Sequence, residues 1–221
     1  MPCDIGYRSY VSVPLPVPKP LQFRKKAQAP KIDVDLLRNI GEEDNEFVEW
    51  LRDLDIDRLL KKALANSVAS VSGSSRVRFE IKDGNVVAKA TYTNITEQRD
   101  VEGIAGAVME RFQMESLALI AQLLDYETRL VKKKNGWFLE CEKHDPNSSV
   151  HKYISVSRKS GENAEIRFEH FASAKERDLE SRKFSALAQK FGLPISFKSA
   201  TKAGRPIPEG TEHRGFLKEE E

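Results

Sequence analysis

The sequence predicts an α+β protein, built from an antiparallel sheet with helices packed on one face. Two observations favour this class. A pattern of two short strands followed by an amphipathic helix occurs twice, over residues 77–124 and 153–191. The turn signal Asp83-Gly84 divides the first strand pair, and so short a connection joins antiparallel neighbours. We therefore expect two ββα units whose helices cover the same side of the sheet.

Composition divides the chain into four stretches. We expect an extended proline-rich arm over residues 1–31, a small acidic helical segment over 32–71, a sheet domain over 76–200 and an irregular charged tail over 201–221. The sheet domain has the expected order ββα-ββ-ββα-β around one core. A division into two domains near residues 145–149 is the alternative.

The arm is defined by a run of alternating prolines, Pro14, Pro16, Pro18 and Pro20. Each proline removes a backbone N–H donor and has a restricted φ, which favours polyproline II over helix. Two interpretations stay open. The arm is either a stiff, solvated linker, or a ligand that docks in an aromatic groove or along a neighbouring surface.

The acidic segment contains three apolar stripes at helical spacing, which begin near Leu36, Phe47 and Ile56. The second stripe includes Trp50, which is therefore expected on the buried side of its helix. Residues 33–57 contain ten acids and two arginines, whereas later stretches of the chain lean basic. This asymmetry predicts ion pairing within the chain or steering of charged partners.

The first hairpin has a predicted register, counted outward from its turn. Ile81 lies opposite Val86 and Phe79 lies opposite Ala88, which places the apolar side chains on one face. A half-buried sheet requires this sorting. The sequence therefore predicts the position of each side chain as well as the presence of the hairpin.

Two further hairpins and two long helices complete the sheet domain. The second hairpin is expected over residues 128–141 around Asn135-Gly136, with a longer loop as an alternative, and the third over 153–170. Thr96 is the expected N-cap of the first long helix. The second is expected to start with a capping box at residues 173–176.

Several protein classes are disfavoured by the sequence. Only two cysteines occur, Cys3 and Cys141, so a disulfide framework is excluded and a reducing cytoplasm is the expected compartment. The N-terminus does not have the pattern of a secretory signal, and no apolar run is long enough to span a membrane. Phosphate-loop, dinucleotide-binding and nucleophile-elbow motifs are absent from the sequence.

One stretch combines residue types that bind metals. Cys141, His144 and His151 lie in or near the loop expected between the second and third hairpins. A thiolate with imidazoles suits zinc. However, structural zinc sites usually have four ligands, and here there is one close pair with a third residue further along. The alternative is a half-buried cysteine beside surface histidines, with no cofactor.

A basic run in the second hairpin suggests a different site. Lys132, Lys133 and Lys134 precede Trp137. Lysines contact phosphates, and an exposed aromatic ring can stack on a base, so this combination predicts a nucleic-acid surface. The alternative is the ordinary solvated side of a sheet.

These observations lead to three functional hypotheses. The first is a non-enzymatic cytoplasmic interaction protein that binds a protein partner, or a second copy of itself, through the arm and the acidic helices. The second is an RNA- or DNA-binding protein that uses the basic hairpins. The third is a metal-dependent enzyme centred on the cysteine and the two histidines. We expect no membrane partner.

Overall fold

The computed structural model describes residues 7–13, 32–82, 85–92, 94–134, 136–144, 151–159 and 164–193. In chain order these residues form β1 (Tyr7–Val13), α1 (Val34–Gly41), α2 (Asn45–Asp53), α3 (Ile56–Ala69), β2 (Arg78–Lys82), β3 (Asn85–Tyr92), α4 (Ile95–Gln122), β4 (Glu127–Lys133), β5 (Gly136–Lys143), β6 (Lys152–Lys159), β7 (Glu165–Glu169) and α5 (Ala174–Lys190). Helices and antiparallel strands together confirm the α+β class. The proline run, the Asp83-Gly84 turn and the tail lie outside the described residues.

The described strands form two antiparallel sheets, and the prediction of a single sheet is wrong. One sheet has the order β1-β3-β2 and the other has the order β4-β5-β6-β7. β1 lies inside the stretch expected as an arm, and it pairs along β3 from Tyr7 opposite Tyr92 to Val13 opposite Val86. Because β1 and β2 flank β3 on both sides, β3 has no free edge for a strand of the other sheet.

The first hairpin has the predicted register, with Ile81 opposite Val86 and Phe79 opposite Ala88. The third hairpin pairs the apolar residues that the sequence placed on one face. These residues are Ile154, Val156, Ile166 and Phe168. In both hairpins a slip by one residue would turn the apolar face outward, so the sequence specifies the register.

The second hairpin turns one residue earlier than Asn135-Gly136. Lys133 pairs with Gly136, so residues 134–135 connect the strands. The longer loop considered from the sequence is therefore wrong. This register places Leu130 opposite Leu139 and Lys132 opposite Trp137.

The two long helices begin at side-chain caps. Asn94, rather than Thr96, caps α4 by accepting the backbone N–H three residues further on at 2.9 Å. The predicted capping box of α5 forms with one difference, because the carboxylate bonds to the residue before the N-cap. The Ser173 hydroxyl accepts the Glu176 N–H at 3.1 Å, and the Glu176 carboxylate accepts the Ala172 N–H at 3.2 Å.

One apolar cluster includes residues from α1 to α5 and from both sheets. Its largest fully buried side chains are Phe112, Phe184, Phe191, Ile40, Leu51, Met114, Ile120, Leu139, Ile154 and Leu187. A smaller cluster joins the first sheet to the start of α4, and its members are Val77, Ala88, Val101 and Ala105. None of the described helices has the length and apolar composition needed to cross a membrane.

Candidate functional site

The acidic helices α1 and α2 are held against α5 by ion pairs. Glu43 lies 3.3 Å from the Lys175 ammonium and 3.2 Å from the Arg182 guanidinium. The Lys183 ammonium lies 2.5 Å from an oxygen of Asp44. These contacts confirm that part of the acidic segment pairs with basic residues of the same chain.

Asp44 has two roles at this seam, by which we mean the contact of α2 and the turn before it with α5. Its side chain caps α2 by accepting the Phe47 N–H at 3.0 Å, and it also accepts a hydrogen bond from Lys183. The bond from Lys183 and the bond from the backbone lower the pKa of Asp44. At the other end of α2, Lys190 donates to the carbonyl groups of residues 51–52, where the helix dipole favours a cation.

A cleft with a volume of about 320 Å³ opens along this seam. It lies between α2, the turn that follows α4, the end of β5 and α5, and we call it the α2–α5 cleft. The residues that line it are Asp44, Glu46, Phe47, Trp50, Leu123, Leu124, Asp125, Lys143, Glu180 and Lys183. It therefore combines two aromatic rings with four carboxylates and two ammonium groups.

Trp50 lines the α2–α5 cleft and is 38% exposed, so the expectation that it is buried is wrong. Its ring lies 5.5 Å from the Phe47 ring at an angle of 43°. The Lys183 ammonium lies 5.2 Å from the centre of the Phe47 ring, a cation–π contact. The inner face of α2 is formed instead by Val48 and Leu51, which are buried.

Both ammonium groups of the cleft already have partners. Lys183 is paired with Asp44. Lys143 donates to the Leu124 carbonyl at 2.8 Å and lies 3.7 Å from a carboxylate oxygen of Asp125. These contacts of Lys183 and Lys143 therefore join the elements that form the cleft.

Glu180 of the cleft interacts with the buried Tyr126. Glu180 lines the cleft, and its Oε1 atom is buried. Tyr126 is 3% exposed, and burial followed by the charge of Glu180 raises the pKa of its hydroxyl well above the usual value. A hydrogen bond with Glu180 also raises this pKa, so the Tyr126 hydroxyl is a donor for the Glu180 carboxylate.

The structure separates the residues predicted to contact nucleic acid. Lys132 and Lys133 point to opposite faces of β4, with the ammonium of Lys132 5.3 Å from the Trp137 ring and that of Lys133 4.8 Å from the Phe138 ring. Trp137 is 8% exposed, and the Arg111 guanidinium lies 4.9 Å from its ring. The three lysines of the run are exposed, but Trp137 does not offer an exposed ring for stacking on a base.

The predicted metal ligands are brought together only in part. His144 and His151 are exposed at the ends of β5 and β6, with 3.1 Å between His144 Nδ1 and His151 Nε2. Cys141 is buried in the sheet opposite Ile154, and burial raises the pKa of its thiol to about 12, which keeps it protonated. Within the described ranges, no three His, Cys, Asp or Glu side chains form a group able to hold a metal. The three-residue zinc site is therefore not assembled.

Sequence reasoning missed two features of this region. It did not identify the α2–α5 cleft, because the cleft is formed by side chains from four distant parts of the chain. It also missed Glu142, whose carboxylate lies 2.5 Å from His151 Nδ1. The alternation of β5 offered a signal for the second feature, since it places Glu142 on the face opposite Cys141.

Comparison with models of known protein families, with curated proteins and with solved structures gave no match. The chemistry of the described side chains is therefore the basis for a functional proposal.

Proposed function

We propose that this chain is a partner-binding protein whose α2–α5 cleft receives a basic segment of another protein. The exposure of Trp50 supports the proposal most directly, because a large indole ring lines an open cleft beside a second aromatic ring. Aromatic side chains in such positions often contribute the largest share of the binding free energy at protein interfaces.

The charges of the cleft favour a basic partner. Four carboxylates and two ammonium groups line the cleft, and both ammonium groups are engaged by the chain itself. Asp44 and Asp125 pair with these two ammonium groups, whereas Glu46 and Glu180 do not. A lysine or arginine side chain of the partner would form a charge-assisted hydrogen bond with one of these two carboxylates.

The walls of the cleft are held in place before any partner arrives. Ion pairs and hydrogen bonds join α2 to α5, including the bonds from Lys183 to Asp44 and from Lys190 to the end of α2. A preformed cleft reduces the entropic cost of ordering side chains on binding. The buried free thiol of Cys141 is compatible with a reducing compartment, so we place this role in the cytoplasm.

Selection from a random peptide library with the full-length chain tests the proposal. We expect the selected peptides to be enriched in lysine and arginine. Their affinity, measured by fluorescence anisotropy, should fall at least about tenfold in Trp50→Ala, as for other interface hot spots, and much less in Trp50→Phe.

Ile95→Ala is the matched control, because Ile95 is an exposed apolar residue that does not line the cleft. Its affinity for the selected peptides should stay within twofold of that of the unmodified chain. Selection of peptides without basic enrichment, or equal binding by Trp50→Ala and the unmodified chain, would contradict the proposal.

A further inference from the structure

Two histidines are in contact beside the second sheet, with His144 directly after β5 and His151 directly before β6. Their ring centres lie 4.6 Å apart with the planes inclined at 64°, and His144 Nδ1 lies 3.1 Å from His151 Nε2. On the other side of the second ring, Glu142 Oε1 lies 2.5 Å from His151 Nδ1. The three side chains therefore form a continuous row in which the central imidazole uses both nitrogens.

The carboxylate of Glu142 determines which nitrogen of His151 carries a proton. An ionised carboxylate only accepts hydrogen bonds, so His151 Nδ1 must be the donor. In the neutral ring, Nε2 then has a lone pair, and this lone pair is directed at His144. The same arrangement of carboxylate and imidazole orients histidine ligands and increases their basicity in metal sites.

The separation of the two facing nitrogens matches that of two ligands on one metal ion. Metal–nitrogen bonds of roughly 2.0–2.1 Å place neighbouring imidazole nitrogens about 2.9–3.4 Å apart, between the octahedral and the tetrahedral angle. The observed 3.1 Å lies within this interval. A metal ion bound to both nitrogens would lie off the line that joins them, so each ring turns toward the ion while the two nitrogens keep their separation.

We propose that His144 Nδ1 and His151 Nε2 bind one divalent first-row transition-metal ion, with Glu142 as a positioning residue. Imidazole ligands suit zinc and its neighbours, and both rings are exposed to solvent. No third described side chain completes the coordination. Water occupies the remaining positions, so the affinity is modest and the ion stays open to a further ligand. Cys141 is not part of this site, and the proposal is independent of the α2–α5 cleft.

Titration of the full-length chain, purified without a histidine tag, with zinc chloride tests this assignment. Calorimetry gives the affinity, and NMR of the imidazole protons identifies the ligands. We expect one zinc ion per chain, with the resonances of His144 and His151 shifting together. Magnesium chloride should produce neither effect, because magnesium prefers oxygen ligands.

Substitutions distinguish ligands from neighbours. His144→Ala and His151→Ala should each lower the zinc affinity at least about tenfold, and Glu142→Gln should lower it about tenfold through its effect on His151. Cys141→Ser should bind zinc within twofold of the unmodified chain. His170→Asn should do the same, and it is the matched control because asparagine accepts the left-handed backbone at His170, where φ is 63°.

Two results would overturn the proposal. The first is the absence of any shift of the two imidazoles at millimolar zinc. The second is an unchanged affinity in both alanine variants. Thermal melting of each variant shows whether it is folded, and Glu142→Gln keeps both histidines, so its reduced affinity cannot come from loss of a ligand.

Discussion

Trp50 is 38% exposed and lines the α2–α5 cleft, whereas Trp137 is 8% exposed and lies on the inner face of β5. The chain covers Trp137 itself, with the Arg111 guanidinium and the Lys132 ammonium both within 5.3 Å of its ring. Trp50 has only Phe47 as an aromatic neighbour among the described residues. Trp137 therefore contributes to folding, whereas Trp50 is available to contact a partner.

Trp137→Ala should have the largest effect on stability, because it removes a buried aromatic ring. We expect the free energy of unfolding to fall by about 3–5 kcal/mol, as for other buried aromatic residues replaced by alanine. Urea unfolding followed by circular dichroism measures this change. Trp50→Ala serves as the comparison and should lose less than about 1 kcal/mol, since a partly exposed ring leaves no cavity. Similar losses in both variants would show that the two environments are not different.

Asp44→Asn tests the seam that forms the cleft. Asparagine can still accept the Phe47 N–H, but it removes the charge that pairs with Lys183, so we expect a loss of about 1 kcal/mol at pH 7. Because the folded-state pKa of Asp44 is lowered, its contribution is present above the ordinary value of 3.8 and is lost as the pH falls through the folded-state pKa. The difference between the variant and the unmodified chain should therefore shrink in acid. Chemical unfolding at pH 7 and below pH 3.8 measures it, and a difference that grows in acid would contradict this assignment.

Local sequence patterns predicted the registers of the hairpins better than they predicted the exposure of the two tryptophans. The registers of the first and third hairpins follow from the sequence, because one face of each is apolar and any slip exposes it. β1 was missed because residues 7–13 do not alternate strictly between apolar and polar side chains and are followed at once by the proline run. The composition of this stretch indicated an extended arm, whereas residues 7–13 form a strand by pairing with β3.

The positions of the tryptophans depend on contacts between distant parts of the chain. In α2, Phe47 and Trp50 have the same spacing as Val48 and Leu51, so two overlapping stripes are available. Val48 and Leu51 join the main apolar cluster, whereas Phe47 and Trp50 line the cleft. Trp137 is covered by a side chain from α4, which no pattern within the hairpin indicates. The cleft could therefore not be predicted from the sequence.

Asp125 offers a smaller and sharper test, because α4 and α5 end in the same hydrogen-bond pattern. The Tyr126 N–H donates to the Ala121 carbonyl at 3.0 Å, and the Leu193 N–H donates to the residue five positions earlier at 2.7 Å. The left-handed position is Asp125 in α4, with φ 64°, and Gly192 in α5, with φ 73°. Glycine relieves the strain of this conformation, so Asp125→Gly should stabilise the chain by about 0.5 kcal/mol.

The same variant removes a carboxylate from the α2–α5 cleft, so it should also weaken the binding of basic peptides. Thermal melting and fluorescence anisotropy measure the two effects separately. A variant that is less stable than the unmodified chain would show that the Asp125 side chain contributes more than its backbone strain costs.

The fluorescence of Trp50 tests the central claim most directly. The chain contains two tryptophans, so Trp137→Phe leaves Trp50 as the single reporter. Titration of this variant with a selected basic peptide should shift the Trp50 emission to shorter wavelength and protect it from quenching by acrylamide, because the partner covers the ring. An emission spectrum and quenching constant that stay unchanged while anisotropy shows the peptide to be bound would place the contact surface elsewhere.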